Sequence, residues 1–266
     1  VCGLGLVMIY PLVWMIMSSF KPTSTIFTTA GQLIPTQFVF ENYVNGWKGF
    51  AKITFATFFK NSLFISIVAT MGTLISSSLV AFGLSRCKFF GRRALFVAML
   101  LSMMLPAQVL MIPQYLWYQK LGWVGSYKPL IIPYFFAIQG FFVYQISNFI
   151  DGIPRELDEA AKIDGCNIMQ TLVLVLVPML WPAMVSAGLF QFMWSCNDYM
   201  GPLLYVQTPS KYPMSIFVKL SMDADSGFNW NRILALSLIS IIPQLVVFFC
   251  AQDAFIDGIS AGAVKG

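Results

Sequence analysis

Long apolar runs separated by shorter polar segments dominate the chain. A membrane-spanning helix needs about 20 mainly apolar residues, and six runs have that character: 1–20, 61–85, 94–118, 129–149, 170–194 and 232–252. Prolines inside the third and fifth runs are tolerated in a membrane but predict kinks. We therefore predict an all-α polytopic membrane protein with six transmembrane helices that form a single transmembrane domain over residues 1–266.

The segments between the runs differ in charge and length. RCKFFGRR at 86–93 contains four basic residues, and short basic loops stay in the cytoplasm. This predicts that both termini and the 150–169 segment are cytoplasmic. Segments 21–60 and 195–231 would then lie outside, where they either only connect spans or receive an extracytoplasmic partner.

Acidic residues are concentrated in one short segment between the fourth and fifth runs. Five of the eleven acids lie there: Asp151, Glu156, Asp158, Glu159 and Asp164. Pro154 suits a first helical position, acids suit a first turn, and Gly165 suits the residue that follows a helix. We predict a helix over 154–164, about 16 Å long. Because it is too short to span a membrane or to be stable alone in water, it must pack against something.

One predicted face of this helix carries small or apolar side chains at helical spacing, with an acid at its end: Leu157, Ala160, Ala161 and Asp164. The two alanines would form a flat patch that lets another chain approach closely. Glu159 lies on a neighbouring face, with Lys162 three residues later. The helix is either a solvated surface helix with a weak Glu–Lys pair or a lever that a partner grips to move the spans.

Composition supports a membrane protein and excludes several kinds of site. Hydrophobic residues make up 58% of the 266 residues, above the roughly 45–50% of soluble proteins. The net charge of +5, without a dense basic run, does not indicate nucleic-acid binding. The chain has no histidine, and its five cysteines form no CxxC pair. We expect reduced thiols, no metal, no cofactor and no catalytic site, and we expect residues to precede Val1 in the native chain.

The run EAAKIDGCNIMQTLVLVLVP resembles the EAA motif of ABC importer permeases. Glu159, Ala160 and Ala161 are followed by Gly165 and, at the end of the motif, by Pro178, with valines where isoleucine and leucine are usual. FKPTSTIF, LIPTQFVFENYV, QFMWSCNDYMGPLLY and the terminal AGAVKG resemble the carbohydrate-uptake branch, which includes MalG-like and UgpE-like subunits. Two departures are Cys196, where tryptophan is common, and Asp253-Ala254, where an aromatic-basic pair is common; the second puts any contact of the C-terminal tail with the ATPases in doubt.

This resemblance implies a type I ABC importer fold in a bacterial or archaeal cytoplasmic membrane. It implies a second permease, two ATPase subunits that bind ATP and Mg, an extracytoplasmic solute-binding protein and a sugar substrate. The short helix would couple to the ATPase through Leu157, Glu159, Ala160, Ala161, Gly165 and Pro178. The chain itself has no GxxxxGK[ST] loop for ATP, so energy must come from another chain.

Polar groups at membrane depth usually face a cavity or another helix. Hydrogen-bonding and aromatic side chains that could line a sugar pathway are Gln139, Gln191, Trp194, Asn197, Asp198, Tyr199 and Gln244. Alternatively, they only join helices or anchor the chain at the interface. Other functions stay open: an importer of an amino acid, peptide or glycerol phosphate, or an ion-coupled transporter, although the spans contain almost no acids for ion coupling. The sequence does not identify the sugar.

Overall fold

The computed structural model describes residues 2–49, 52–221 and 230–263, and within these ranges the chain forms helices and loops but no strand. This confirms the predicted all-α class. The helices are α1 Cys2–Ser18, α2 Glu41–Trp47, α3 Phe55–Arg86, α4 Arg92–Met103, α5 Ala107–Lys120, α6 Lys128–Ile131, α7 Gly140–Asp151, α8 Glu156–Ile163, α9 Ile168–Met179, α10 Trp181–Asn197, α11 Met200–Tyr205, α12 Met214–Leu220 and α13 Trp230–Ala263.

Three of the six predicted spans correspond to helical segments that are long and apolar enough to cross a membrane. They are α3, the segment Lys128–Asp151 that contains α6 and α7, and Trp230–Ile256 within α13. The first run forms the shorter apolar helix α1, of 17 residues. Counting each bent pair as one span gives up to five crossings among the described residues. The count of six therefore stays a prediction.

The third and fifth predicted spans are each broken into two helices rather than merely kinked. The bend is 103° between α4 and α5 and 80° between α9 and α10. Pro106 is the N-cap of α5 with extended backbone, and a proline both lacks an N–H and disfavours helical geometry in the residue before it. At the second break, Leu180 precedes Trp181-Pro182, which opens α10.

The chain divides into two compact units: residues 1–64 with 198–245, and residues 65–197 with 246–266. In the first unit, the core consists of Phe55, Phe58, Met214, Phe217 and Leu236. The rings of Phe58 and Phe217 stack with their centroids 4.6 Å apart. The polar segments that the sequence places between spans thus contribute side chains to a packed core.

Polar contacts reinforce this first unit. The Asn61 amide donates to the carbonyls of Ser210 and Tyr212, at 2.9 and 3.0 Å. Lys21 is only 2% exposed, and its ammonium donates to the carbonyls of Thr29 and Gln32. Specific contacts therefore hold residues 21–32 together and join Asn61 to residues 210–212.

In the second unit, the core joins α3, α7 and the α9 region. Its buried members are Ala81, Phe82, Leu84, Val143, Ile146, Ile150, Ile153, Leu172, Leu176 and Leu180. The α9 region contains a π-helical turn at Thr171–Leu176, an arrangement that is rare and often found at functional sites. Gly72 of α3 faces the ring of Phe135, so that a Cβ built at Gly72 would lie 2.7 Å from it.

Gly72→Ala is expected to destabilise the protein, because the Phe135 ring must move to make room for the new methyl group. Overpacking of this kind typically costs about 1–3 kcal/mol. Gly83→Ala in the same helix is the matched control, since a Cβ there meets nothing within 4 Å and alanine favours a helix by up to about 1 kcal/mol. Thermal unfolding in detergent, followed by size-exclusion chromatography, measures both; a Gly72→Ala variant as stable as Gly83→Ala would contradict the packing argument.

Candidate functional site

The short helix α8 begins at Glu156 and ends at Ile163. Pro154 is therefore not its first residue, as the sequence suggested, and Arg155 is the N-cap instead. The reason is a competing contact: the carbonyl of Ile153 accepts a hydrogen bond at 2.6 Å from the Arg86 guanidinium. The chain around Pro154 is thereby fixed as a turn between α7 and α8.

The C-terminal end of α8 has the geometry that the glycine predicted. Gly165 has φ of +85°, a region that side chains with a Cβ rarely adopt. Its N–H donates to the Lys162 carbonyl at 3.1 Å, and the Cys166 N–H donates to the Ala161 carbonyl at 2.9 Å. This pair of bonds is a Schellman motif, which satisfies carbonyls that the helix end leaves without partners.

The two alanines of the motif lie on different faces of α8. Ala161 is buried at 5% exposure, and Leu157 packs against the core of the second unit. Glu159 and Ala160 are exposed on the opposite side. The single flat patch expected from Ala160 and Ala161 is thus wrong, because Ala161 belongs to the face that packs on its own chain.

Sequence reasoning missed Ile163 on the exposed face. Its side chain is 86% exposed, although it is large and apolar. The i, i+4 spacing in the sequence could have indicated this, because Ile163 lies four residues after Glu159 and therefore on the same helical face. Ile168 and Met169, just after α8, are also exposed, at 69% and 54%.

A buried arginine ties α8 to the end of α3. The Nε atom of Arg86 lies 3.0 Å from Oδ2 of Asp158, and the side chains are 6% and 24% exposed. This is an ion pair by distance, but Nε makes no aligned hydrogen bond. It is the one ion pair in the part of the chain that the structure describes, so the weak Glu159–Lys162 pair considered above is not formed.

The rest of the EAA-like run leads into the broken fifth span. The Asn167 side chain accepts from the Gln170 N–H at 2.9 Å, and the Gln170 side chain accepts from the Asn167 N–H at 2.8 Å. This reciprocal capping box starts α9 and was not recognised in the sequence. Pro178 lies in the last turn of α9, just before the 80° bend.

The candidate pathway residues of the second unit are Gln139, Gln191, Trp194 and Asn197. Gln139 is the partly exposed N-cap of α7, and Asn197 is exposed at the end of α10. Gln191 is 1% exposed, and its side-chain oxygen has no hydrogen-bond partner in the described chain.

Trp194 belongs to an aromatic cluster that the sequence did not indicate. It is 46% exposed, and its ring centroid lies 5.1 Å from that of Phe142 and 5.6 Å from that of Phe141. Phe190 lies at 6.4 Å. The partly exposed Phe141, at 38%, extends the aromatic surface next to Trp194.

The candidates in the first unit are Asp198, Tyr199 and Gln244, all partly exposed. The carboxylate of Asp198 accepts from the Gly201 N–H at 3.0 Å, and the Asp198 carbonyl accepts from the Ser215 hydroxyl at 2.7 Å. Burial raises the pKa of the Asp198 carboxyl, while hydrogen bonds from the Gly201 and Met200 N–H groups lower it. Asp198 thus has a local role at the start of α11.

The two departures from the family pattern lie in different surroundings. Cys196 is 6% exposed, and its thiol donates to the Ser66 hydroxyl at 3.2 Å. Asp253 is exposed and Ala254 partly exposed on α13. The terminal AGAVKG, which contributed to the resemblance, extends beyond the described residues.

Residues 72–259 match the family described as the binding-protein-dependent transport system inner membrane component. The chain belongs to this family. The match covers 188 of the 266 residues, counting from 72 to 259. The protein is therefore a multi-pass membrane subunit of an ABC transport system, a permease, as the EAA-like run indicated.

Two curated relatives align along almost the whole permease. The diacetylchitobiose uptake system permease protein DasC of Streptomyces coelicolor is 30% identical, over 97% of this chain and 92% of its own length. The trehalose/maltose transport system permease protein MalG of Thermococcus litoralis is 29% identical, over 99% and 94%. A bacterial ABC transporter that imports the acidic polysaccharide alginate has the same fold, with a TM-score of 0.82 at 23% identity over 95% of this chain and 92% of that one.

Gly165→Ala is expected to weaken the end of α8, because a Cβ makes the left-handed conformation unfavourable by about 1–2 kcal/mol. The space around Gly165 is open, so the effect is conformational and not steric. Gly165→Asn is the control, since asparagine tolerates this conformation better. Hydrogen exchange of the 156–166 segment in the purified permease should increase with alanine and change less with asparagine; equal exchange in all three proteins would contradict the assignment.

Proposed function

We propose that this permease forms half of the translocation pathway of an ATP-driven importer of a sugar or oligosaccharide. A second, related permease would form the other half, and the chain would fold as one transmembrane domain over residues 1–266. Two separate ATPase subunits would bind ATP and Mg and hydrolyse the nucleotide. Support for a carbohydrate comes from DasC and MalG, whose names assign them to diacetylchitobiose and to trehalose and maltose.

The main support for this proposal is that one face of α8 packs on its own chain while the other is exposed. Its inner face is fixed by Leu157, Ala161 and the Asp158–Arg86 pair. Its outer face presents Glu159, Ala160 and Ile163 to the surroundings. This exposed face is free to meet a partner, and a basic residue of the ATPase would complement Glu159.

Charge and contacts support a cytoplasmic position for α8. The basic segment RCKFFGRR starts at Arg86, the residue that contacts α8. The basic segment and α8 therefore share one side of the membrane, which the positive-inside rule assigns to the cytoplasm. Both termini would lie on that side as well.

The opposite side would receive the solute-binding protein. In the first unit, Lys21 donates to the carbonyls of Thr29 and Gln32, and Asn61 donates to those of Ser210 and Tyr212. In most pre-organised complexes the interface backbone changes little on binding. Backbone held in this way suits such docking, which supports the partner-receiving interpretation for the outer segments.

Within the pathway, Trp194 and Phe141 offer aromatic surface to a sugar, and Gln191 offers an amide. Binding sites for small molecules combine such apolar faces with a few placed polar groups. The unpartnered oxygen of Gln191 supports a role for this amide once the spans rearrange. Gln139, Asn197, Asp198, Tyr199 and Gln244 remain further candidates.

Glu159→Lys should abolish most sugar import while the permease still inserts and accumulates, because the exchange places a cation against the basic residue expected on the ATPase. Copurification of the ATPase with this chain should also fall. The matched control is Asp151→Lys, the same charge change at an exposed residue of α7 that lies outside α8.

Import can be followed with radiolabelled diacetylchitobiose, trehalose and maltose, with leucine and glycerol 3-phosphate as non-sugar probes. Import of a sugar supports the proposed substrate class. Import of leucine or glycerol 3-phosphate without any sugar would show that the substrate is not a carbohydrate. Normal import and normal ATP coupling by Glu159→Lys would refute the role assigned to this residue.

Trp194→Ala should raise the apparent KM for the transported sugar about tenfold, which corresponds to about 1.4 kcal/mol of lost binding. Trp181→Ala is the control, because Trp181 is also exposed, at 61%, but lies at the other end of α10. The same KM measurement applies to single alanine substitutions of three further candidates: Gln139, Gln191 and Gln244. If none of these changes alters the KM, this chain does not line the sugar site.

A further inference from the structure

Arg86 contacts two backbone carbonyls and one carboxylate, all distant from it in sequence. Its Nη2 donates to the carbonyl of Ile150 at 3.0 Å and to that of Ile153 at 2.6 Å. Its Nε pairs with Asp158 of α8 at 3.0 Å. One side chain at the end of α3 therefore contacts the end of α7, the turn after it and the first turn of α8.

Neighbouring contacts strengthen the same junction. The carbonyl of Ser85, one residue earlier, accepts from Arg155 at 3.3 Å and from Arg92 at 3.2 Å. Arg155 is the N-cap residue of α8. The last carbonyls of a helix lack partners within it and attract cations, which explains why arginines gather at this end of α3.

We infer that Arg86 and Asp158 form the link that makes α3 move with α8 when the ATPase displaces α8. The inference rests on the proposed function, in which α8 receives that motion. By the covalent chain, α8 is connected only to α7 and α9, whereas α3 is separated from it by 69 residues, from 87 to 155. Besides the Arg155–Ser85 hydrogen bond, Arg86 supplies the charged connection between α3 and α8, and it acts as a positioning residue.

The burial of Arg86 distinguishes this ion pair from one on the surface. Exposed ion pairs contribute little and break easily, but Arg86 is 6% exposed. Removing one partner of a buried pair leaves the other charge without compensation. If α8 moved without α3, the Arg86–Asp158 pair would break and this free-energy cost would arise. If α3 moves together with α8, the pair stays intact, so the joint movement is favoured.

The test measures how much sugar is imported per ATP hydrolysed. The transporter, purified through this chain, is reconstituted in liposomes with its binding protein and assayed with the fastest-imported sugar among diacetylchitobiose, trehalose and maltose. Arg86→Gln and Asp158→Asn should each lower the import-to-hydrolysis ratio by about five- to tenfold, within the usual range of coupling between sites. The double variant should be no worse than either single one, because both changes remove the same link.

Two controls separate the link from general damage. Arg93→Gln removes one positive charge from the same basic segment at an exposed residue and should leave the ratio unchanged. Asp158→Glu retains the charge and should preserve most of the ratio. A purely structural defect would instead lower import and hydrolysis together at a constant ratio.

The outcomes distinguish this inference from the function on which it rests. If no ATPase copurifies with the unaltered chain, the proposed function fails. If the ATPase copurifies and both Arg86→Gln and Asp158→Asn retain the ratio of the unaltered protein, or lower import and hydrolysis in parallel, the link is overturned. If Arg86→Gln does not accumulate, Asp158→Asn decides the question, since Asp158 is partly exposed and Arg86 keeps its carbonyl acceptors.

Discussion

Helix ends and turns leave backbone carbonyls without partners, and where these carbonyls are buried they need a donor within the protein. This constraint shapes the second unit around the end of α3. There Arg86 donates to Ile150 and Ile153, and Arg92 and Arg155 donate to Ser85. The arginines that satisfy these carbonyls also fix the turn from which α8 starts, so the position of the short helix follows from the needs of the backbone around it.

An eight-residue helix is not stable alone, and the contacts that stabilise α8 also determine which of its faces is available. Leu157 and Ala161 face the core, and Asp158 is held by Arg86. Glu159, Ala160 and Ile163 are left on the outside. A helix fixed on one side and exposed on the other can pass a displacement to the spans, because its inner contacts resist sliding.

The sequence allowed the all-α class, the apolar runs and the glycine-terminated helix to be predicted, because each depends on local composition or on one backbone conformation. Gly165 is the clearest case, since its role follows from its missing Cβ.

The separation of Ala160 from Ala161 was not predictable from spacing alone, because the buried face depends on where α3 and α7 lie. The Arg86–Asp158 pair joins residues 72 positions apart, and the contacts of Trp194 with Phe141 and Phe142 join residues more than 50 positions apart. No local pattern indicates such distant contacts. The bends of 103° and 80° were underestimated as kinks, since a proline reveals a weak point but not its angle.

The helices α9 and α3, which both adjoin α8, differ in continuity, and this difference bears on the role of the Arg86–Asp158 pair. On the covalent route, α9 contains a π-helical turn at Thr171–Leu176 and ends at an 80° bend, so a push along it can be absorbed by local rearrangement. On the other route, α3 is one helix of 32 residues. A displacement that reached only α9 would be dissipated near α8, whereas one that also reaches α3 is carried along a continuous helix. The buried Arg86 therefore connects α8 to the longer and unbroken of these two helices.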